Sequence, residues 1–311
     1  MNGNRMPSGG APPASAAELA GLTLTNPDKL LWPEVGVTKR DYLAYLYAVA
    51  QPLLAYTRNR ALTVIRYPDG IHGKSFYQKN APVFAPPWIP RRRVGSVNAI
   101  LLNDLRTLLW LGNQAALEFH VSFHEVDDPE HPLELAFDLD PSVPGFSAVV
   151  ETAFRLKEET DRLGLPTYVK TSGATGLAVY IPLQRRYTYA ETRQVAAFLA
   201  HYLAERYPRL VTVERRVRDR GTKVYVDYLQ HGPSRTLPAP YSPRGRTRAM
   251  VSAPVTWEEL ARGAQPADFT IQTVPARLRQ MGDLFAPVTA AAGRAALDAI
   301  LDFLRRHPVD R

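Results

Sequence analysis

The chain has 311 residues, 45% of them hydrophobic, and a formal net charge of +8. That length and apolar share suit one large globular domain or two small lobes around an ample core, and they exclude global disorder. The absence of cysteine excludes disulfides, thiolate catalysis and cysteine–zinc sites and suits a cytoplasmic protein, and no apolar run reaches the roughly 18 residues of a transmembrane helix.

Residues 1–18 read as a flexible leader, because no apolar stretch follows a charged start as in a signal peptide; residues 19–311 read as a single domain. From Leu22 to Tyr56 the pattern predicts an extended segment, a loop and a helix, with Thr38 as N-cap and Tyr42, Leu43, Leu46 and Val49 as its apolar stripe. ALTVIRYPDG follows as a strand closed by a Pro-Asp-Gly turn. Residues 81–94 read as a Pro-rich basic loop, and Asn103 to Leu117 as a buried helix running into the strand EFHVS.

ELAFDLDP reads as a strand, 146–163 as a helix, PTYVKT and GLAVYIPL as a strand pair, and 190–206 as a helix. VTVE and KVYVDYL are two further strands, and a Pro/Arg-rich loop leads to a mostly helical end with an amphipathic 289–306. Strands and helices mix without strict alternation, which predicts a two-lobed α/β domain with largely antiparallel sheets.

On a strand, residues i and i+2 face the same way, about 6.5–7 Å apart. Asp138 and Asp140 in FDLDP therefore share a face, and burying two like charges unpaired is costly. Hard divalent cations resolve that conflict. Asp227 adds a third acid inside an otherwise apolar strand, and three carboxylates can hold two ions for phosphoryl transfer. A lone D-x-D is also compatible with a turn or a salt-bridged strand end; the second strand shifts the balance toward a metal site.

The basic excess favours a polyanionic partner, nucleic acid before anionic membrane, with solvated charge as the alternative. Ser172, Gly173, Thr175 and Gly176 form a turn able to expose N–H groups to an anion, although a plain hairpin turn gives the same pattern. Arg244, Arg246 and Arg248 alternate in a proline-flanked loop and suit phosphate oxygens, or simply solvent. Phe76 and Tyr77 lie between Lys74 and Lys79, an arrangement suited to base stacking and backbone tracking, with Arg66 one strand upstream. His120 matters only if it faces the same cleft as the acids.

Together these segments resemble the polymerase domain of bacterial ligase D, the end-joining branch of the archaeo-eukaryotic primase superfamily. The likeness runs from about Leu22 to about Leu284 through LTNPDKLLWPEVGVTKRDYLAYL, RYPDG…KSFYQKN, ALEFHV, AFDLDP, KTSGATGLAVYIPL, KVYVDYLQ, APYSPRGR and FTIQTVPARL. The resemblance implies an RRM-like catalytic sheet packed against an N-terminal α/β lobe. It implies that Asp138, Asp140 and Asp227 bind two Mn²⁺ or Mg²⁺ ions, and that His120, Ser172, Thr175, Arg66, Arg244 and Arg246 face the nucleotide. Lys29 and Lys39 match lysines that hold a 5′-phosphate on gapped or broken DNA, and Phe76, Tyr77 and Lys79 match the base-stacking segment.

The implied activity is primer extension and short gap filling with NTPs preferred to dNTPs, beside a DNA ligase and an end-binding protein, in a cytoplasmic, nucleoid-associated setting with no membrane. No ligase or nuclease segment accompanies it, so a stand-alone module is expected. One departure stands out: Ala178 occupies the position of the motif histidine, and Thr175 that of a frequent lysine. The alternatives are a non-catalytic or weakly active DNA-end binding module, in which that loss marks decay, and a metal-dependent phosphoesterase.

Overall fold

The structure is a computed structural model that describes residues 21–307; the leader expected over residues 1–18 lies outside them. The chain begins with β1 (Leu30–Trp32) and β2 (Val37–Thr38), an antiparallel pair. Thr38 then caps the helix Lys39–Ala48: its hydroxyl accepts from Asp41 N at 3.2 Å while the Asp41 carboxylate accepts from Thr38 N at 2.9 Å. The expected stripe of Tyr42, Leu43, Leu46 and Val49 is fully buried. A second helix, Ala50–Thr57, leads to β3 (Ala61–Arg66), then β4 (Phe76–Gln78), β5 (Arg91–Val94) and β6 (Val97–Leu101).

After the helix Leu105–Asn113 come β7 (Ala116–Val121) and β8 (Glu134–Pro141), the helix Ser147–Arg162, the hairpin β9 (Tyr168–Thr171) and β10 (Leu177–Pro182), and the helix Tyr189–Arg206. The chain continues through β11 (Val211–Thr212), β12 (Val224–Asp227), β13 (Leu237–Pro238) and β14 (Pro254–Val255) to short helices ending in Asp298–Arg306.

Two six-stranded sheets result. The first has the order β13-β7-β3-β6-β5 with β4 also on β3, and the second β11-β12-β8-β10-β9-β14. Among the described residues, the strands of these two sheets pair antiparallel except β11 with β12, in keeping with the largely antiparallel sheets expected from the sequence. The run β8, helix, β9, β10, helix, β12, ordered in space as β12-β8-β10-β9, is a βαββαβ unit, which is what an RRM-like sheet requires. One apolar cluster joins both sheets, from Leu31 and Tyr42 through Phe119 and Phe137 to Leu203 and Phe285.

An ion pair crosses between the sheets as well. Arg60, where β3 begins, donates through Nη2 to Glu134 Oε2 of β8 at 3.0 Å, and Tyr56 OH donates to Glu134 Oε1 at 2.8 Å. Both charged side chains are almost wholly buried.

Several local expectations need correction. Within 81–94, Arg91–Val94 is a strand rather than loop, because β6 supplies an antiparallel partner. VTVE shortens to Val211–Thr212, the stretch that β12 can pair. The strand through Asp227 ends there: Tyr228–Gln230 is a 3-10 turn capped by Asp227, so Tyr228 and Leu229 have no strand face. The terminal helix starts at Asp298, leaving 290–297 irregular.

Candidate active site

β12 and β8 pair with Asp227 opposite Asp138 and Tyr225 opposite Asp140. Cross-strand partners project to the same side, so all three acids share one face of the second sheet. The register continues across it, with Ala178 of β10 opposite Asp138 and Lys170 of β9 opposite Ala178. Asp227, Asp138, Ala178 and Lys170 thus form a single row, with Asp140 one step along. The acids are half-buried, whereas Lys170 is completely buried and donates from Nζ to Ser252 Oγ at 2.7 Å.

The electrostatics follow from that crowding. Burial, then the neighbouring Asp140 and Asp227, push the Asp138 carboxyl up to about 7 against the opposing pull of Lys170 and Arg244. Asp140 is raised by burial and by Asp227, while Arg220 and Arg244 oppose the shift. Burial brings Lys170 down to about 7, with Asp138 holding it up. A face that disfavours its own ionised form is one that a cation would relieve.

Among the described residues, no three His, Asp or Glu side chains already converge closely enough to grip an ion. Asp227 Oδ1 accepts from Gln230 N at 3.0 Å, which leaves Oδ2 as a further oxygen donor. The all-oxygen donor set on one face fits a hard divalent ion.

Beside the acids lies the turn joining β9 to β10. Gly173 takes φ +69°, and a Cβ there would come within 2.5 Å of Arg244 Cγ, so only glycine lets the arginine lie against the turn. A Cβ on Gly176 would stand 2.3 Å from Leu139 O and 3.5 Å from Asp140 Oδ1, which puts the turn directly against the carboxylate strand. Ser172 Oγ accepts from Ala174 N at 3.2 Å and from Gly176 N at 3.0 Å, and so fills the hollow of its own turn. Thr175 is exposed at the tip.

The first sheet contributes β7. Glu118 and His120, two apart, share a face, and His120 Nε2 lies 3.0 Å from Glu118 Oε2. Glu118 Oε2 also accepts from Arg244 Nε at 2.8 Å, while Oε1 accepts from Gly245 N at 2.9 Å and Tyr67 OH at 3.1 Å. Arg244 in turn donates from Nη1 to Ser172 O at 2.7 Å, joining this cluster to the turn of the second sheet. Trp32 Nε1 donates to Arg244 O at 3.3 Å and steadies the arginine loop. Arg246 and Arg248 are exposed.

Burial would raise the Glu118 carboxyl, but the His120 hydrogen bond, the Arg244 charge and the Gly245 N–H together hold it at about 2. Burial lowers His120, with Glu118 opposing and Arg244 and Lys170 reinforcing. His120 therefore lies within electrostatic reach of the residues on the acidic face.

The remaining expected residues lie elsewhere. Arg66 donates to Gln114 O at 2.9 Å and to Gln78 Oε1 at 3.1 Å, with its guanidinium 5.3 Å from the Phe76 ring, which groups it with β4 rather than with the acids. Phe76, Tyr77 and Lys79 are exposed, although strand alternation sends the two rings to opposite faces. Lys29 is paired with Asp69 at 2.8 Å. Lys39 is buried and donates to Thr25 O at 2.7 Å and Asn113 O at 3.0 Å, so its ammonium is occupied by backbone.

Sequence reading passed over Glu118, Lys170 and Arg220, whose guanidinium lies 3.8 Å from the Tyr225 ring. The first two had a legible signal. A charge inside an apolar strand, which singled out Asp227, equally marks Lys170 in YVKT and Glu118 in ALEFHV.

Residues 38–285 match the family model described as LigD, primase-polymerase domain. The chain is 41% identical over 287 residues to the bifunctional non-homologous end joining protein LigD of Bacillus subtilis, covering 92% of this chain and 47% of that protein. It is 33% identical over 278 residues to the multifunctional non-homologous end joining protein LigD of Mycolicibacterium smegmatis, covering 87% of this chain and 36% of that one. It therefore spans half or less of the length of these relatives.

Its fold is similar to the solved polymerase domain of Mycobacterium tuberculosis ligase D in complex with DNA, with a TM-score of 0.80, 33% identity, and coverage of 87% of this chain and 99% of the other. The βαββαβ sheet, the ordered motifs and the match over most of the chain lead to one conclusion: the chain belongs to the LigD primase-polymerase domain family, and is a nucleotidyltransferase domain of that kind.

Proposed function

We propose that the domain is a metal-dependent polymerase that extends primers and fills short gaps at DNA breaks, with NTPs preferred to dNTPs, during end joining. The observation that carries this reading is the placement of Asp138, Asp140 and Asp227 on one sheet face, with the Ser172–Gly176 turn against Asp140. The three carboxylates would hold two divalent ions, Mn²⁺ or Mg²⁺, which when bound supply activation of a primer 3′-hydroxyl and charge neutralisation on a triphosphate.

The protein's own groups do the rest. The turn N–H groups of Ala174 and Gly176 and the Arg244 guanidinium converge beside the acids, and exposed Arg246 extends that positive edge. They offset charge on a triphosphate and fix its orientation. The exposed Phe76 and Tyr77 offer stacking surfaces, with Lys79 beside them. Lys29, with buried Lys39 bracing the segment behind it, is the cation that meets a 5′-phosphate on gapped DNA, in exchange for its pairing with Asp69. A DNA ligase and an end-binding protein are the partners this activity requires.

The test is a labelled primer–template with NTPs and Mn²⁺. Extension by the wild type, lost in Asp138→Ala and Asp227→Ala while the DNA gel shift persists, supports the reading; normal extension by either variant refutes it. Shortening of the primer would point to a phosphoesterase instead. Ala178 favours a second reading, a DNA-end binding module with little activity, because an apolar, buried residue stands next to Asp138 in the row. A gel shift without extension in the wild type would select it.

A further inference from the structure

Glu118 is a buried carboxylate whose acceptor capacity is full. An ionised carboxylate accepts about four hydrogen bonds and donates none, and Glu118 takes them from His120 Nε2, Arg244 Nε, Gly245 N and Tyr67 OH, all within 3.1 Å. Two of these donors belong to residues expected to face the nucleotide, and they come from different elements, β7 and the arginine loop. Gly245 is held so closely that a Cβ on it would stand 2.2 Å from the Tyr67 ring.

We propose that Glu118 is a positioning residue for nucleotide binding: it fixes His120 as its Nε2–H tautomer and seats Arg244 against the Ser172 turn. The proposal rests on the polymerase reading for its purpose but on this hydrogen-bond set for its geometry. An acceptor-only oxygen 3.0 Å from Nε2 requires the proton on Nε2. Burial and the nearby charges of Arg244 and Lys170 disfavour a second proton, so the ring keeps a lone pair on Nδ1, which makes no hydrogen bond among the described residues. Nδ1 suits a hydroxyl of an incoming nucleotide rather than a phosphate oxygen. The positive charge for phosphate comes from Arg244, whose Nε is spent on Glu118 and whose Nη1 reaches Ser172 O at 2.7 Å. The same carboxylate thus separates a neutral acceptor from a fixed cation.

Glu118→Gln keeps the shape but offers one acceptor oxygen in place of two, so at least two of the four donors lose their partner. The expected result is a His120 ring whose ¹⁵N signals move from a pure Nε2–H tautomer to a mixture. The KM for NTP should rise roughly tenfold or more, the loss expected for a hydrogen bond to a charged group, with a smaller change in kcat. Tyr67→Phe removes one donor and leaves the carboxylate, so its His120 signals should match the wild type.

Wild-type ¹⁵N signals in Glu118→Gln, or an unchanged KM, overturn the proposal. If Glu118→Gln does not fold, Glu118→Asp retains the charge on a shorter arm and must still shift the His120 signals; unchanged signals there overturn it too. If the wild type extends no primer, the polymerase reading fails separately. The ¹⁵N signals and directly measured triphosphate affinity of the variant then decide this proposal: a shift with weakened affinity supports it, and wild-type values for both overturn it.

Discussion

Glu118 on the first sheet and the aspartates on the second are carboxylates held in opposite ways. On the first, Glu118 is surrounded by donors and held at about 2. On the second, Asp138 faces two further acids and is pushed up to about 7. Sequence composition does not separate the cases, since both are acids in apolar strands. What separates them is whether the neighbours are protein donors or other acids. The satisfied carboxylate organises the chain around it; the crowded acids form a face that a cation would relieve.

The sharpest way to break this contrast is to remove the repulsion. Asp138→Asn should leave the metal-free protein at least as thermally stable as the wild type while eliminating both primer extension and the rise in Tm on adding Mn²⁺. A clear loss of metal-free stability would mean that the acid is structural, like Glu118. Next in size is the buried pair of Arg60 and Glu134, a satisfied carboxylate that sits on the second sheet itself. Arg60→Met strands Glu134 without its cation and should cost about 3–5 kcal/mol by chemical denaturation; adding Glu134→Leu should restore most of it. A double variant no better than the single would remove the charge argument.

The pH dependence has opposite signs at Glu118 and at Asp138. Glu118 is lowered from 4.5 to about 2, so its stabilisation is complete above 4.5 and is lost as pH falls toward 2. The loss is on the order of 3 kcal/mol, and Glu118→Gln should abolish it. Asp138 is raised from 3.8 to about 7, so the metal-free protein should lose stability as pH rises through that interval, and a saturating divalent ion should cancel the loss. Denaturation midpoints across pH, with and without Mg²⁺, check both signs. The smallest expected effect is Gly176→Ala. Its Cβ would meet Leu139 O at 2.3 Å, and parting the turn from β8 should cost about 1–3 kcal/mol and slow extension without altering the DNA gel shift.

Much of this was legible in the sequence, for physical reasons. Strand alternation put Asp138 and Asp140 on one face, and the capping chemistry of Thr38 with Asp41 marked where a helix begins. The placement of Asp227 opposite Asp138 was not legible, because register is a matter of pairing between segments far apart in the chain. The same limit hid the row that brings Lys170 to Ala178, and the arrival of Arg244 at Glu118. β5 went unrecognised because the prolines that run up to it make the whole basic stretch read as loop, and its strand is set by a partner, β6, that pairs with it. Lys39 shows the reverse case: its motif position suggests a surface cation, but its ammonium is consumed by two carbonyls inside the fold.

The hydroxyl of Ser172 acts as a placeholder. By accepting from Ala174 N and Gly176 N it keeps those amides at hydrogen-bond spacing. A triphosphate taken there, as proposed, would exchange with a side chain rather than order a loose loop, so the ordering cost is met in folding. Preorganisation of that kind makes the turn a ready-shaped anion seat rather than one assembled on binding.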